Sequence, residues 1–233
     1  MGGGFFVTGT DTGTGKTLVA SGLVRVLAAR GEKVVGLKPV ASGAEPTADG
    51  LRNADALALA AESSVSLPYG LTNPWCFEPS VAPHLAAAAA GAAIALDQLV
   101  DWYGRASAHA RVAIVEGAGG WRVPLHPEGF LSDLPERLGL GVILVVGLRL
   151  GCLNHARLTY ESVTRAGRCR FVGWIGNQVD PTFGPLEANL ATLEQLLGGP
   201  ALARVPTLAT PTAESAARWL NEPRLLAALA RRP

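Results

Sequence analysis

Gly9-Thr10-Asp11-Thr12-Gly13-Thr14-Gly15-Lys16-Thr17 lies between a short apolar run, Phe5 to Thr8, and a stretch in which Val19, Leu23, Val26 and Leu27 recur at helical spacing until Gly31. Strand, glycine-rich turn and helix, in that order, form the context in which a phosphate-binding loop works. Glycines let backbone N–H groups turn toward phosphate oxygens, and the helix N-terminus adds partial positive charge at the same point. On this reading Gly13, Thr14, Gly15, Lys16, Thr17 and Leu18 contact a nucleotide, with Lys16 bridging the β- and γ-phosphates and the Thr17 hydroxyl ligating magnesium. The common loop spacing needs glycine at position 10, whereas the chain has Thr10 and sets Gly9 one residue earlier. A turn that merely meets backbone geometry would account for the glycines but not for Gly-Lys-Thr at the helix start.

Outward from the loop, short apolar runs alternate with longer stretches of helical period. Val34 to Lys38, Val112 to Val115, Val142 to Val146 and Phe171 to Ile175 read as strands covered on both faces. The expected fold is therefore α/β, a three-layer P-loop NTPase-like arrangement with a mainly parallel sheet and helices on both faces. One domain over residues 1–233 is expected, since neither an internal repeat nor a linker interrupts the pattern. Leu67 to Pro83 holds four prolines and reads as irregular, Ala86 to Ala90 as helix, and Glu214 to Arg232 as a final helix.

Hydrophobic residues make up 48% of the 233 and charged residues 17%, which suits one sizeable core and excludes disorder. A net charge of +1 without blocks of like charge gives no nucleic-acid face, so the expected partner is a small molecule. Cys76, Cys152 and Cys169 lack the paired spacing of zinc or redox sites and read as reduced thiols. No apolar stretch approaches the roughly 18 residues of a membrane span, and no export segment is recognisable. A cytoplasmic location without a membrane partner is the expectation.

Magnesium at such a loop needs a carboxylate from a neighbouring strand end, and Val112-Ala113-Ile114-Val115 runs into Glu116. The small residues that follow, Gly117, Ala118, Gly119 and Gly120, leave room for close approach of a ligand. Lys38 closes the second strand, at the edge where ligands bind in open α/β sheets. Position alone leaves two readings of it open, a solvated strand-end lysine or a site lysine. Arginine outnumbers lysine 17 to three, and two of the three lysines, Lys16 and Lys38, fall at candidate site positions. That distribution suggests a requirement for compact ammonium groups there. Asp55 opens a helix that runs to about Ala61, and taken alone it is explained by the helix dipole.

With these residues assembled, the chain resembles the dethiobiotin synthetases along nearly its whole length. The motifs that carry the resemblance are VTGTDTGTGKT, GLKPVASG around Lys38 continuing into GLRNADAL around Asp55, VEGAGGW around Glu116, and VILVVGLRLGCLNHA from Val142 to Ala156. The last is the most distinctive, because nucleotide binding in general gives no reason for it. The resemblance implies ATP-dependent carboxylation and ring closure of 7,8-diaminopelargonate with CO2, through a carbamate and a carbamic-phosphoric anhydride, to dethiobiotin, ADP and phosphate. It implies Lys38 and Lys16 as catalytic lysines, and Thr17, Asp55 and Glu116 as ligands of Mg2+. Thr12 and Ser42 match positions near the reacting diamine and carbamate. Cys152, Leu153 and Asn154, which by themselves read as an ordinary helix start, match the helix end that receives the substrate's distal carboxylate from the partner subunit of a homodimer.

Gly117, Ala118 and Gly119 fall with Glu116 among the nucleotide contacts that the resemblance implies. Asn177, Pro206, Thr207 and Leu208 match the adenine pocket, and Glu214 matches a further contact across a one-residue length difference. Gly13, Arg149 and Gln178 depart from residues common in the family, an acidic residue, a lysine and an aspartate in turn. Two rival readings share a phosphate loop. A cobyrinate-type amide ligase usually carries an additional glutamine-hydrolysing domain, for which the chain lacks length. A nucleotide-switched partition ATPase carries an extra lysine early in the loop, where this chain has Asp11.

Overall fold

Strand β1 (Gly3–Gly9) lies in the interior of a sheet because both its edges find parallel partners, β3 (Val112–Glu116) on one side and β4 (Gly141–Gly147) on the other. Strands β2 (Val34–Leu37), β5 (Arg170–Asn177) and β6 (Ala203–Val205) complete six, all parallel, in the order β6-β5-β4-β1-β3-β2. This is a computed structural model, and it describes residues 3–126, 129–165 and 169–231.

Period-two alternation sends Phe5 and Val7 to one face of the sheet and Phe6 to the other. The first face is covered by α1 (Lys16–Ala29), α2 (Ala54–Glu62) and two later helices, through Leu23, Leu59, Leu220 and Leu225. After the short helix α3 (Tyr69–Thr72), the opposite face is covered by α4 (Pro83–Ala89), α5 (Leu96–Ser107) and α6 (Asp133–Leu138). Helices α7 (Cys152–Arg165) and α8 (Leu186–Leu196) continue that layer over β4 and β5, packing on Leu144, Val146 and Trp174. The three-layer α/β arrangement expected from the sequence is the one observed.

Two stretches differ from the sequence reading. Leu67 to Pro83 is not wholly irregular, because it forms α3 and then a two-residue strand, Trp75–Cys76, that pairs in parallel with Val40–Ala41. Glu214 to Arg232 forms two helices instead of one, α9 (Ala213–Leu220) and α10 (Pro223–Ala230). Pro223 has no N–H to continue α9, and it takes the first position of α10 instead. Arg232 lies outside the described residues.

Strand β2 and helix α2 pack almost backbone to backbone. A Cβ added at Gly36 would meet Leu59 Cβ at 2.8 Å and the Leu59 carbonyl at 3.0 Å. The Gly36 N–H also donates to Ser63 Oγ at 2.9 Å, just past the end of α2. Gly36→Ala is therefore expected to push α2 off the sheet and to cost about 1–3 kcal/mol. Urea unfolding reads this as a lower midpoint, and an unchanged midpoint would contradict the close seating of α2.

Candidate active site at the phosphate loop

The loop after β1 is held in shape from below. Gly15 has φ 84°, a left-handed conformation suited to glycine, and caps the start of α1. Asn177, at the end of β5, donates Nδ2–H to the Thr14 carbonyl at 2.9 Å and leaves no space for a side chain at Gly15. Thr10 directly follows β1, and its N–H donates to Val145 O at 3.2 Å, so the position that the common spacing gives to glycine is here tied to the neighbouring strand. Within the loop the Asp11 carbonyl accepts from Thr14 Oγ1 at 3.2 Å and from Lys16 Nζ at 2.9 Å. The Asp11 carboxylate pairs with Arg149 at 3.1 Å.

Beside the loop stands a cluster of four side chains from four elements. Lys38 follows β2, and its Nζ donates to Glu116 Oε1 at 2.6 Å, to Asp55 Oδ2 at 2.8 Å and to the Gly117 carbonyl at 3.1 Å. Thr17 Oγ1, in the first turn of α1, donates to the same Glu116 Oε1 at 2.8 Å. Glu116 sits on β3, between β1 and β2 in the sheet, which is why the loop threonine and the β2 lysine reach it from opposite sides. Asp55 enters from the first turn of α2, where Asn53 caps the helix by accepting from the N–H groups of Asp55 and Ala56.

Lys38 and Glu116 are buried, at 3% and 0% exposure, so their charges must be matched within the protein. Burial by itself lowers the Lys38 ammonium, but Glu116 and then Asp55 outweigh it and hold the lysine above its ordinary value. Burial also raises Glu116, and the opposing pull of Lys38 does not fully cancel that rise. With an ammonium at 2.6 Å the ion pair is the resting form, burial first and the Asp55 charge second being what opposes ionisation of Glu116. Asp55 is more open; its burial is outweighed by the Lys38 charge, which lowers it. One ammonium thus faces two carboxylates, and Glu116 Oε2 is buried without a hydrogen-bond partner.

Two carboxylates and a hydroxyl are oxygen donors of the kind a hard divalent cation takes, and the orphan Oε2 supplies an acceptor with no other use. Among the described residues no group of three or more His, Cys, Asp and Glu side chains could hold a metal ion. With two carboxylates and one hydroxyl, the donor set fits Mg2+, which is commonly held by one or two carboxylates with phosphate oxygens and water completing the shell.

A cavity of about 380 Å3 collects half of the residues expected from the sequence: Thr12, Gly13, Gly15, Lys16, Thr17, Lys38, Ser42, Asp55, Glu116, Ala118 and Gly119. Thr14 is buried beneath the loop, Leu18 packs on the core, and Gly117 contributes its carbonyl to Lys38. Asn53 and Ser80 also line the cavity and were not singled out from the sequence. Asn53 carries a legible signal, an asparagine directly before a helix. Ser80 carries none, because it arrives through the pairing of Phe77 with Ala41 and Ala44.

The remaining expected residues lie elsewhere. Pro206 borders a separate cavity of about 590 Å3 along β6, the Thr207 hydroxyl donates to the Gln178 carbonyl at 2.9 Å, and Leu208 packs on the core. The β6 cavity is larger, but the phosphate loop and its carboxylates line the smaller one. Glu214 lies in a groove between α1 and α9, paired with Arg218 at 3.5 Å and Arg25 at 4.0 Å. Cys152, the first residue of α7, is buried and its N–H donates to the Arg149 carbonyl at 3.0 Å, while Asn154 is exposed. None of Cys152, Leu153 and Asn154 lines this chain's own loop cavity. Among the described residues no helix is long and apolar enough to cross a membrane.

The two site lysines differ in charge environment. Lys16 is brought down to about 8, by burial first and by the Lys38 charge second, whereas Lys38 is held above its ordinary value. With three lysines in the chain, each 13Cε resonance can be assigned by substitution. In the ligand-free protein Lys16 is expected to titrate near pH 8 and Lys38 above its ordinary range. Titration of both in the ordinary range would contradict the cluster as described.

The AAA domain family model matches residues 3–215. An ATP-dependent dethiobiotin synthetase BioD of Chromohalobacter salexigens is 50% identical over 94% of this chain and 98% of its own length. The protein of the same name from Pseudomonas paraeruginosa is 52% identical over 88% of this chain and 90% of its own. Among solved structures, a ParA family ATPase from Chlorobium tepidum superposes with TM-score 0.59 over 98% of this chain and 99% of its own, at 15% identity. The MinD cell division protein of Aquifex aeolicus gives 0.56 over 96% and 89%, also at 15% identity. Those two likenesses are of fold alone, whereas sequence identity near one half over almost the whole length is a likeness of family. The chain belongs to the ATP-dependent dethiobiotin synthetases, ligases that form a carbon–nitrogen bond.

Proposed function

We propose that the protein joins 7,8-diaminopelargonate and CO2 at the expense of ATP, releasing dethiobiotin, ADP and phosphate. The observation that carries this reading is the position of Lys38 Nζ, 2.6 Å from Glu116 and 2.8 Å from Asp55, in the cavity that the phosphate loop also lines. One amine of the substrate adds to the carbon of CO2 and loses a proton, giving a carbamate. A carbamate oxygen attacks the γ-phosphorus, ADP leaves, and a carbamic-phosphoric anhydride forms. The second amine attacks the carbonyl carbon of that anhydride, phosphate departs, and the ring closes.

Phosphoryl transfer depends on positioning and on neutralising charge over the transferred group. The Lys16 and Lys38 ammonium groups supply that charge from the loop and from the end of β2. Mg2+ bound by Thr17, Asp55 and Glu116 would neutralise charge on the phosphate oxygens. The Thr12 and Ser42 hydroxyls orient the diamine nitrogen and the carbamate. The start of α7 at Cys152, Leu153 and Asn154 lies outside its own chain's loop cavity, and we assign it to the site of a second copy. In that reading the protein is a homodimer, and this helix end receives the distal carboxylate across the interface. Asn177, with Pro206, Thr207, Leu208 and Glu214, borders the adenine.

Phosphate release measured with ATP, Mg2+, bicarbonate and 7,8-diaminopelargonate, each left out in turn, tests the reaction. Release is expected to need all four. Release at full rate without the diamine would overturn the synthetase reading and favour a nucleotide-switched ATPase.

A further inference from the structure

Lys38 and Asp55, which meet at 2.8 Å beside Glu116, come from different elements, and a third segment joins their backbones. Tyr69, the first residue of α3, accepts the Asn53 N–H at 2.7 Å, directly before the helix that carries Asp55. Its hydroxyl donates to Asn73 Oδ1 at 3.0 Å. Asn73 Nδ2 in turn donates to the Lys38 carbonyl at 2.8 Å and the Trp75 carbonyl at 3.3 Å. The Lys38 N–H closes the ring by donating to the Thr72 carbonyl at 2.8 Å.

The Asn73 amide sets the direction of the bonds it shares with Tyr69, whose hydroxyl also lies 3.5 Å from Cys76 Sγ. Asn73 Nδ2 faces two carbonyls, which only accept, so the amide orientation is set and Oδ1 must face Tyr69. The phenol proton is then committed to Asn73, and the phenol oxygen is left to accept from Asn53. Burial, and then the contact with the Cys76 thiol, raise the phenol to about 12, so its proton is retained at neutral pH. Asn53 and Asn73 are 6% and 2% exposed, so water is a poor substitute for either partner. The segment is anchored at its far side, where Trp102 Nε1 donates to the Leu71 carbonyl at 2.8 Å. Asn53 also donates Nδ2–H to the Ser42 carbonyl at 3.4 Å, so the same brace reaches a third residue of the cavity.

We propose that Tyr69 and Asn73 are positioning residues of the reaction, fixing how far the Lys38 ammonium stands from the Asp55 carboxylate. Neither lines the cavity, and both act through the backbones they hold. The inference rests on the catalytic reading of Lys38 and Asp55 given above. Loss of the brace leaves binding of nucleotide by the loop intact but loosens the geometry of transfer. A misplacement near 1 Å at a reacting group can cost up to about 100-fold in rate.

Two substitutions remove the brace with little change in volume. Tyr69→Phe keeps the ring under Arg52 but loses the hydroxyl, and Asn73→Asp sets an acceptor against the two carbonyls. Each is expected to lower kcat by roughly 10- to 100-fold while KM for ATP changes less than about twofold. The Mg2+ concentration for half-maximal rate is expected to rise in both. A double-mutant cycle supplies the decisive readout, because Tyr69→Phe is expected to have little further effect in an Asp55→Asn background. Wild-type kcat in Tyr69→Phe and Asn73→Asp, or losses that simply multiply with Asp55→Asn, would overturn the proposal. Should either variant fail to fold, the other completes the cycle. Full activity in Asp55→Asn alone would instead overturn the catalytic reading of Asp55, leaving the two failures distinguishable.

Discussion

The ion cluster at Glu116 is the constraint around which the rest of the molecule is arranged. A carboxylate at the end of a central strand, with 0% exposure, is costly unless its charge is answered at close range. Lys38 answers it at 2.6 Å and Thr17 adds a hydrogen bond at 2.8 Å, both to Oε1, while Oε2 is left without a partner. That unmatched acceptor suits the Mg2+ proposed for the site. Both Glu116 and Asp55 face the cavity that the phosphate loop lines, so their oxygens are available to a cation beside the nucleotide phosphates.

Strand order makes the cluster possible. In the sequence β3 lies far from β1 and β2, but in the sheet it lies between them. Glu116 is therefore flanked by the loop after β1 and by the lysine after β2, all at the carboxyl ends of parallel strands. Gly36 lets α2 pack closely enough on β2 to bring Asp55 within 2.8 Å of Lys38. Asn177 performs a related task from β5, propping the loop at Thr14.

Much of this was legible in the sequence, for reasons that differ from residue to residue. The strand-loop-helix at Gly9 to Thr17 is contiguous, so period and glycine spacing expose it directly. Glu116 was legible as a carboxylate ending an apolar run, and the fold class from the alternation of short and long apolar patterns. Lys38 and Asp55 were each ambiguous alone, because a strand-end lysine and a helix-start aspartate have ordinary surface roles. Their significance lies in a contact between segments 17 residues apart, which no local pattern encodes. The prolines of Leu67 to Pro83 concealed α3 for the same reason, since four residues of helix leave no period to detect. The break before α10 was more local, and Pro223 could have marked it.

Fold and family carry different weight in the assignment. Superposition on ParA and MinD proteins at 15% identity says how the sheet is built and leaves the chemistry open. The named relatives near 50% identity identify the family, and within it the Lys38 cluster is the part of the structure on which the proposed chemistry depends. The most direct measurement of that dependence is turnover of Lys38→Gln at saturating ATP, Mg2+, bicarbonate and diamine, with circular dichroism as the control for folding. The account expects a folded protein that has lost most of its turnover. A folded variant with full turnover would contradict it.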